Sequence, residues 1–231
     1  MTHRPVIIAH RGFTARAPEN SLDAFWAARK LQADGIECDI RRCASGEFLI
    51  HHDPKVNGVE LATNTRNRII HNIPTLEQTL EFCTDWFANV EIKNDPNEPG
   101  YDNTEKFAAD IAAIVRQFPQ TKVLLSSFDF GVLQHLARVA PDIERAYLVM
   151  DPREVATWIP RSKEIAATAL HPWDGVLTPA LLEQCHQEGL HVNVWTVNEP
   201  ARKDELTSWG VDGIITDTLG DNETAAPGPA V

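Results

Sequence analysis

Gly35-Ile36-Glu37-Cys38-Asp39-Ile40-Arg41-Arg42-Cys43-Ala44-Ser45-Gly46-Glu47-Phe48-Leu49-Ile50-His51-His52-Asp53 is the stretch from which the fold can be read. Its first part is a short run with apolar residues on one face, of the kind that lies buried in a parallel sheet. Its second part, Phe48-Leu49-Ile50-His51-His52, follows only a polar turn at 44–47. A parallel partner needs a crossover of about a dozen residues or more, so this run must return antiparallel. The hairpin predicts His52 beside Glu37 and Asp39.

Outward from that hairpin, seven further short apolar runs occupy 6–10, 89–93, 122–127, 145–149, 167–171, 191–197 and 211–217. Helical patterns separate them, at 21–33, 75–86, 104–118, 131–140, 153–166, 179–188 and 199–209. The clearest carries Phe107, Ile111, Ile114, Val115 and Phe118 at helical spacing. Asn20 is a candidate cap for the first helix, and Thr178-Pro179 pairs a cap with a first-turn proline. Gly189 and Gly210 are placed to stop two helices. Eight strands alternating with helices predict an α/β fold, a TIM (β/α)8 barrel with a short insertion after the second strand; an open doubly wound sheet is the alternative. Residues 1–220 read as one barrel domain, 53–74 as a rim loop or small insertion, and 221–231 as a disordered tail. No closing helix is evident after the eighth strand.

The chain has 231 residues, 43% hydrophobic and 23% charged, the balance of a globular protein with a sizeable core. A net charge of −12 argues against a general nucleic-acid binder and against docking on anionic membranes. It does not exclude an anionic substrate, because a local cationic pocket or a metal outweighs distant charge. The four cysteines, Cys38, Cys43, Cys83 and Cys185, show neither CxxC nor zinc-ligand spacing and read as packed, reduced thiols. With a strand beginning near Pro5, no room for a leader and no apolar run of about 20 residues, the expected location is cytoplasmic.

Residues two apart in a strand share a face. Glu37 and Asp39 therefore point together, away from Ile36, Cys38 and Ile40, and Glu91 points with Lys93. These residues and His10 lie near strand C-termini, where barrel enzymes keep their chemistry. Three converging carboxylates resist joint ionisation unless a cation lies among them. All-oxygen ligands suit Mg²⁺ or Ca²⁺. Ion pairing with Lys93, Arg41 or Arg42 is the simpler reading of any one pair, but two inward pairs accompanied by His10 and His52 favour a metal site. The two histidines can serve as proton acceptor and donor. Arg11 and Lys93 offer donors to phosphate oxygens. Strand alternation turns His51 away. His171 ends a strand and could line the rim. Trp195 is either barrel packing or an aromatic wall for substrate. Ser127 and Asp217 end strands without a marked role, and His3, His71, His135, His186 and His191 fall in termini, loops or helices.

His10-Arg11-Gly12, Pro18-Glu19-Asn20-Ser21, Glu37-x-Asp39, His52-Asp53, Glu91-Ile92-Lys93, Ser127-Phe128, Trp195-Thr196-Val197-Asn198 and Gly213-Ile214-Ile215-Thr216-Asp217 occur in the order found in glycerophosphodiester phosphodiesterases, and the chain resembles that family from His10 to Asp217. The resemblance implies a TIM barrel, His10 and His52 as the general acid–base pair, Glu37, Asp39 and Glu91 as ligands of a divalent metal, and Arg11 and Lys93 on the phosphate. It implies a small-molecule phosphodiester as partner, hydrolysed to sn-glycerol 3-phosphate and an alcohol. The 53–74 insertion is shorter than usual and lacks the Arg-Thr-Thr stretch that often follows the His-Asp motif. A lysophospholipase D-like activity on lipids and a non-catalytic phosphate-binding barrel are the competing expectations.

Overall fold

The computed structural model describes residues 4–69 and 72–220. Eight strands form a closed parallel barrel: β1 (Val6–His10), β2 (Gly35–Arg42), β6 (Phe87–Ile92), β7 (Lys122–Ser127), β8 (Glu144–Val149), β9 (Ala169–Pro172), β10 (His191–Val194) and β11 (Gly213–Thr216). Each pairs with its neighbour in parallel, and β1 closes the ring by pairing with both β2 and β11. Helices α1 (Leu22–Lys30), α2 (Leu76–Phe82), α3 (Glu105–Val115), α4 (Phe130–Val139), α5 (Val155–Glu164), α6 (Pro179–Gln187) and α7 (Pro200–Trp209) fill the connections between successive strands. Among the described residues no helix follows β11. The tail at 221–231, like His3 and His71, lies outside the described residues.

Apolar side chains on the outer face of the strands, Ile36, Cys38, Ile40, Val90 and Ile92 among them, pack against Phe25, Leu80, Phe107 and Ile111 of the helices. All four cysteines are buried and unpaired. Inside the barrel the N-terminal end is plugged by Leu124, Ala146 and Ala169 with Phe87. Buried polar groups in the strands, Arg145 and Asn193 among them, must each be matched by a partner.

The predicted hairpin forms. β3 (Phe48–Ile50) runs antiparallel to β2 with Ile40 opposite Ile50, and His51 N donates to Asp39 O. The excursion that follows has more order than its missing periodicity suggests. It contains the ribbon β4 (Lys55–Val56) and β5 (Val59–Glu60) and a 3₁₀ turn at Arg66–Arg68. Leu61 and Ile69 bury themselves against Cys43 and Leu49, so a small satellite core ties this segment to the hairpin.

Two local expectations are corrected. Asn20 does not cap α1; Ser21 does, accepting from Ala24 N, while Asn20 adopts φ 56° and turns its amide inward to Asp39. His171 does not line the rim; it is fully buried. Asn193 Nδ2 lies 2.9 Å from His171 Nε2, and because an amide N–H donates, Nε2 accepts and the proton sits on Nδ1, which has no partner. Thr178 caps α6 as expected, and Gly210 (φ 89°) ends α7.

Burial pushes His171 down to about 3 from the usual 6.5. The unfolded chain therefore binds one more proton than the native one as pH falls from about 6.5 toward 3, and this residue costs stability across that window. Replacing His171 with Gln keeps an acceptor for Asn193 and removes the proton. Denaturant titrations between pH 6.5 and 5 should show His171→Gln losing stability less steeply than the parent, by up to about 1.4 kcal/mol per pH unit. Equal slopes would contradict a neutral, buried His171.

Candidate active site

The site begins where β1 ends. After His10 the chain turns through Arg11 (φ 56°) and Gly12 (φ 81°). A Cβ on Gly12 would lie 2.8 Å from the Ala24 backbone, so only glycine lets this turn seat against α1. The turn aims Arg11 N at Glu37 Oε2, at 3.0 Å. Asn20 then bridges back: its Nδ2 donates to Asp39 Oδ2 (2.9 Å) and its Oδ1 accepts from Asp39 N (3.2 Å). The Pro18-Glu19-Asn20 segment thus positions a carboxylate of the neighbouring strand.

The register of β2 and β6 places Asp39 opposite Glu91 and Glu37 opposite Asn89. Glu37, Asp39 and Glu91 each bring an oxygen within 4.8 Å of the others, and all three are buried. Lys93, just past β6, puts Nζ 3.2 Å from Asp39 Oδ1 and 2.6 Å from Glu91 Oε1. The expected ion pair with Lys93 is therefore present, whereas Arg41 and Arg42 turn away to Glu98 and Asp102. One ammonium does not satisfy three buried carboxylates. Burial and the charge of Asp39 push Glu37 up to about 8, and burial likewise raises Glu91. Burial would raise Asp39 too, but Lys93, His52 and the Asn20 amide outweigh it, and Asp39 is held below the usual carboxylate range. Glu37 Oε1 has no hydrogen bond, and Glu91 Oε1 meets Lys93 at ion-pair distance without the angle of one. Three buried carboxylates at this spacing, with Glu37 Oε1 left without a partner, offer the all-oxygen donor set that a hard divalent cation takes, so the residues present fit such an ion.

The two histidines flank this cluster, and each has its Nδ1 engaged by a carboxylate. His10 Nδ1 lies 2.7 Å from Asp217 Oδ1, and His52 Nδ1 lies 2.8 Å from Asp53 Oδ1. Both imidazoles face one cavity of about 310 Å³, shared with Arg11, Glu37, Glu91, Lys93, Phe128 and Trp195. Their surroundings differ. Burial alone would lower His10, but the Asp217 hydrogen bond and the Glu37 charge raise it above the ordinary histidine value. Burial and the Lys93 charge lower His52. Arg11 reaches the same region, with Nε 3.5 Å from Asp39 Oδ2 and Nη1 3.0 Å from Glu19 Oε2.

Of the residues assigned to the site, His10, Arg11, Glu37, His52, Glu91, Lys93 and Trp195 line this cavity; Asp39 does not line it and is held by Lys93 and Asn20. Trp195 is wall rather than core packing: it meets Phe128 edge-on at 5.5 Å and donates Nε1 to His171 O. His51 bonds the Asp53 carbonyl and lines no part of the cavity. Ser127 is structural, its Oγ donating to Ile92 O. Three contributors escaped the sequence: Asp217, Asp53 as a partner of His52, and Asn20 in its bridging role. Asp53 could have been suspected from adjacency. Asp217 is 207 residues from His10, and only the pairing of Ala9 with Thr216 at barrel closure brings them together.

The model of the glycerophosphoryl diester phosphodiesterase family matches residues 10–221. The chain belongs to this family. A glycerophosphodiester phosphodiesterase of Caldanaerobacter subterraneus subsp. tengcongensis is 30% identical over 240 residues, covering 93% of this chain and 94% of its own length. In fold the chain is similar to a phosphodiesterase of Oleispira antarctica solved in complex with the product sn-glycerol-3-phosphate, with TM-score 0.84, 21% identity and 94% of each chain covered. It is also similar to a glycerophosphodiester phosphodiesterase of Parabacteroides distasonis, with TM-score 0.75, 25% identity and 95% of each chain covered. The chain is an enzyme of this class, a glycerophosphodiester phosphodiesterase. Among the described residues no helix is long and apolar enough to cross a membrane.

If Asp217 orients His10, replacing it with Asn should lower kcat by roughly tenfold or more, part of the contribution of a positioned acid or base, with KM little changed. Steady-state kinetics would detect this. An unaltered kcat would leave Asp217 without a positioning role.

Proposed function

We propose that this enzyme is a metal-dependent hydrolase of glycerophosphodiesters such as glycerophosphocholine and glycerophosphoethanolamine, releasing sn-glycerol 3-phosphate and an alcohol by His10/His52 general acid–base catalysis. The observation that carries the reading is a cluster of three buried carboxylates, two of which, Glu37 and Glu91, open onto one cavity together with two carboxylate-anchored histidines. Glu37, Asp39 and Glu91 would hold Mg²⁺ or Ca²⁺, and the ion would supply Lewis-acid stabilisation of the phosphate.

The protein's own residues account for the rest. Lys93 and Arg11 donate to non-bridging phosphate oxygens, and with charge developing there in the transition state these donors count for more than in the ground state. The Lys93 ammonium is free for that task once its pairing with Asp39 and Glu91 is relieved. One histidine takes a proton from the nucleophile and the other returns one to the leaving alkoxide. Their opposed environments, one favouring and one disfavouring the protonated form, keep two unlike protonation states available at the same pH. Trp195 covers the apolar side of the bound diester.

A second reading, hydrolysis of lysolipids, has support in Phe128 and Met150, which line the cavity and are 41% and 51% exposed at its mouth. It expects turnover of micellar lysolipid comparable to that of the soluble diester.

A glycerophosphocholine assay separates these outcomes. Excess EDTA should abolish hydrolysis and added divalent ion restore it, and His10→Ala and His52→Ala should each lose about 10²–10⁴ in kcat. Full activity in EDTA, or in either alanine variant, would overturn the reading.

A further inference from the structure

A phosphodiester carries two ester arms on one phosphorus, and the catalytic groups here open in two directions. Beside the cavity that holds His10 and Trp195 lies a second one of about 450 Å³. The two share His52, Glu91, Lys93, Phe128 and Met150, so a diester centred at Lys93 and His52 has room for one arm on each side. They differ in charge. Apart from the shared residues, the first carries His10, Arg11, Glu37 and Trp195; the second carries Arg41 and is bounded by the loop after β6 and the start of α4, which bring Asp95, Glu98 and Asp129.

Of these three carboxylates Glu98 is neutralised by Arg41. Asp95 and Asp129 have only neutral partners. Asp95 Oδ1 accepts from Asn97 N and Nδ2, at 2.8 and 2.9 Å. Asp129 accepts from Gly131 N at 2.9 Å and Asn94 Nδ2 at 2.6 Å. These bonds hold the carboxylates in place and leave their charge uncompensated. Phe128, which leans edge-on against Trp195 at 83°, and the thioether of Met150 give the same cavity an apolar wall. Fixed negative charge beside an aromatic and a thioether surface suits an organic ammonium, which is attracted by both carboxylate and ring face. It does not suit a second anionic group, which would face two unpaired carboxylates.

Resting on the phosphodiesterase reading, we propose that this second cavity is the subsite for the leaving alcohol and that Asp95 and Asp129 make it selective for a cationic alcohol. The glycerol arm, common to all substrates of the class, takes the opposite cavity. Asp95 and Asp129 are specificity determinants here and take no part in proton transfer.

The test is the ratio of kcat/KM for glycerophosphocholine to that for glycerophosphoglycerol, whose leaving alcohol is neutral, measured at low ionic strength with divalent ion present. Asp95→Asn and Asp129→Asn should each lower this ratio by roughly two- to fivefold, the range of a solvent-accessible ion pair, mainly through KM for the choline ester. Turnover of the glycerol ester should fall less than that of the choline ester. Asn retains the cap of α4 through Gly131 N but cannot accept from Asn94 Nδ2, so the exposed Asp95→Asn is the variant that changes charge alone. Glu144→Gln, the same charge change at the opposite end of the barrel, should leave the ratio as it is. Raising the salt should narrow the parent ratio toward that of the variants. Active variants with an unchanged ratio, or Glu144→Gln moving it equally, would overturn the subsite while leaving the phosphodiesterase reading intact. A parent enzyme that hydrolyses neither ester would instead contradict that reading.

Discussion

Three carboxylates held together out of water are the constraint around which this molecule is organised. At the spacing of Glu37, Asp39 and Glu91, each ionised pair repels by on the order of 3 kcal/mol even at an effective dielectric of roughly 20. The barrel enforces that proximity, because β2 and β6 lie in parallel register with Asp39 opposite Glu91. Every nearby feature answers it. Lys93 spans two of the three, Asn20 donates to Asp39, the left-handed turn at Arg11 offers a backbone N–H to Glu37, and His10 is held as a prospective cation beside Glu37. The remaining deficit, an unpartnered Glu37 oxygen and a Glu37 pushed up to about 8, is what a divalent ion would remove.

The same constraint explains the division of the barrel interior. Leu124, Ala146 and Ala169 fill the N-terminal end, while His10, Arg11, Glu37, His52, Glu91 and Lys93 open onto one cavity. His171 is fully buried, kept neutral by that burial, and its carbonyl accepts from Trp195 Nε1. Above it the wall turns functional. Phe128 lines both cavities and meets Trp195, which lines only the first, edge-on.

Much of this was legible in the sequence because strand physics is local. Alternation placed Glu37 with Asp39, the shortness of the 44–47 turn required an antiparallel return, and that return carried His52 to the site. What could not be read depended on distant closure or on side-chain choice. Asp217 meets His10 only through the pairing of the first and last strands. Asn20 looks like a helix cap because Asn caps well, yet Ser21 beside it serves equally, and the buried Asp39 offers Asn20 a stronger acceptor. The 53–73 segment lacks periodicity because its order comes from a few anchors, Leu61 and Ile69, rather than a repeating face. His171 ends a strand as rim residues do, and only the tilt and stagger of the barrel bury it.

The central claim is that the acidic cluster is a metal site and not a salt-bridge cluster completed by Lys93. Anomalous scattering from crystals soaked in Mn²⁺ tests this directly. The account predicts one peak among Glu37, Asp39 and Glu91, with Lys93 Nζ withdrawn from Asp39. A cluster without a peak, its ion pairs with Lys93 unchanged at saturating Mn²⁺, would contradict it.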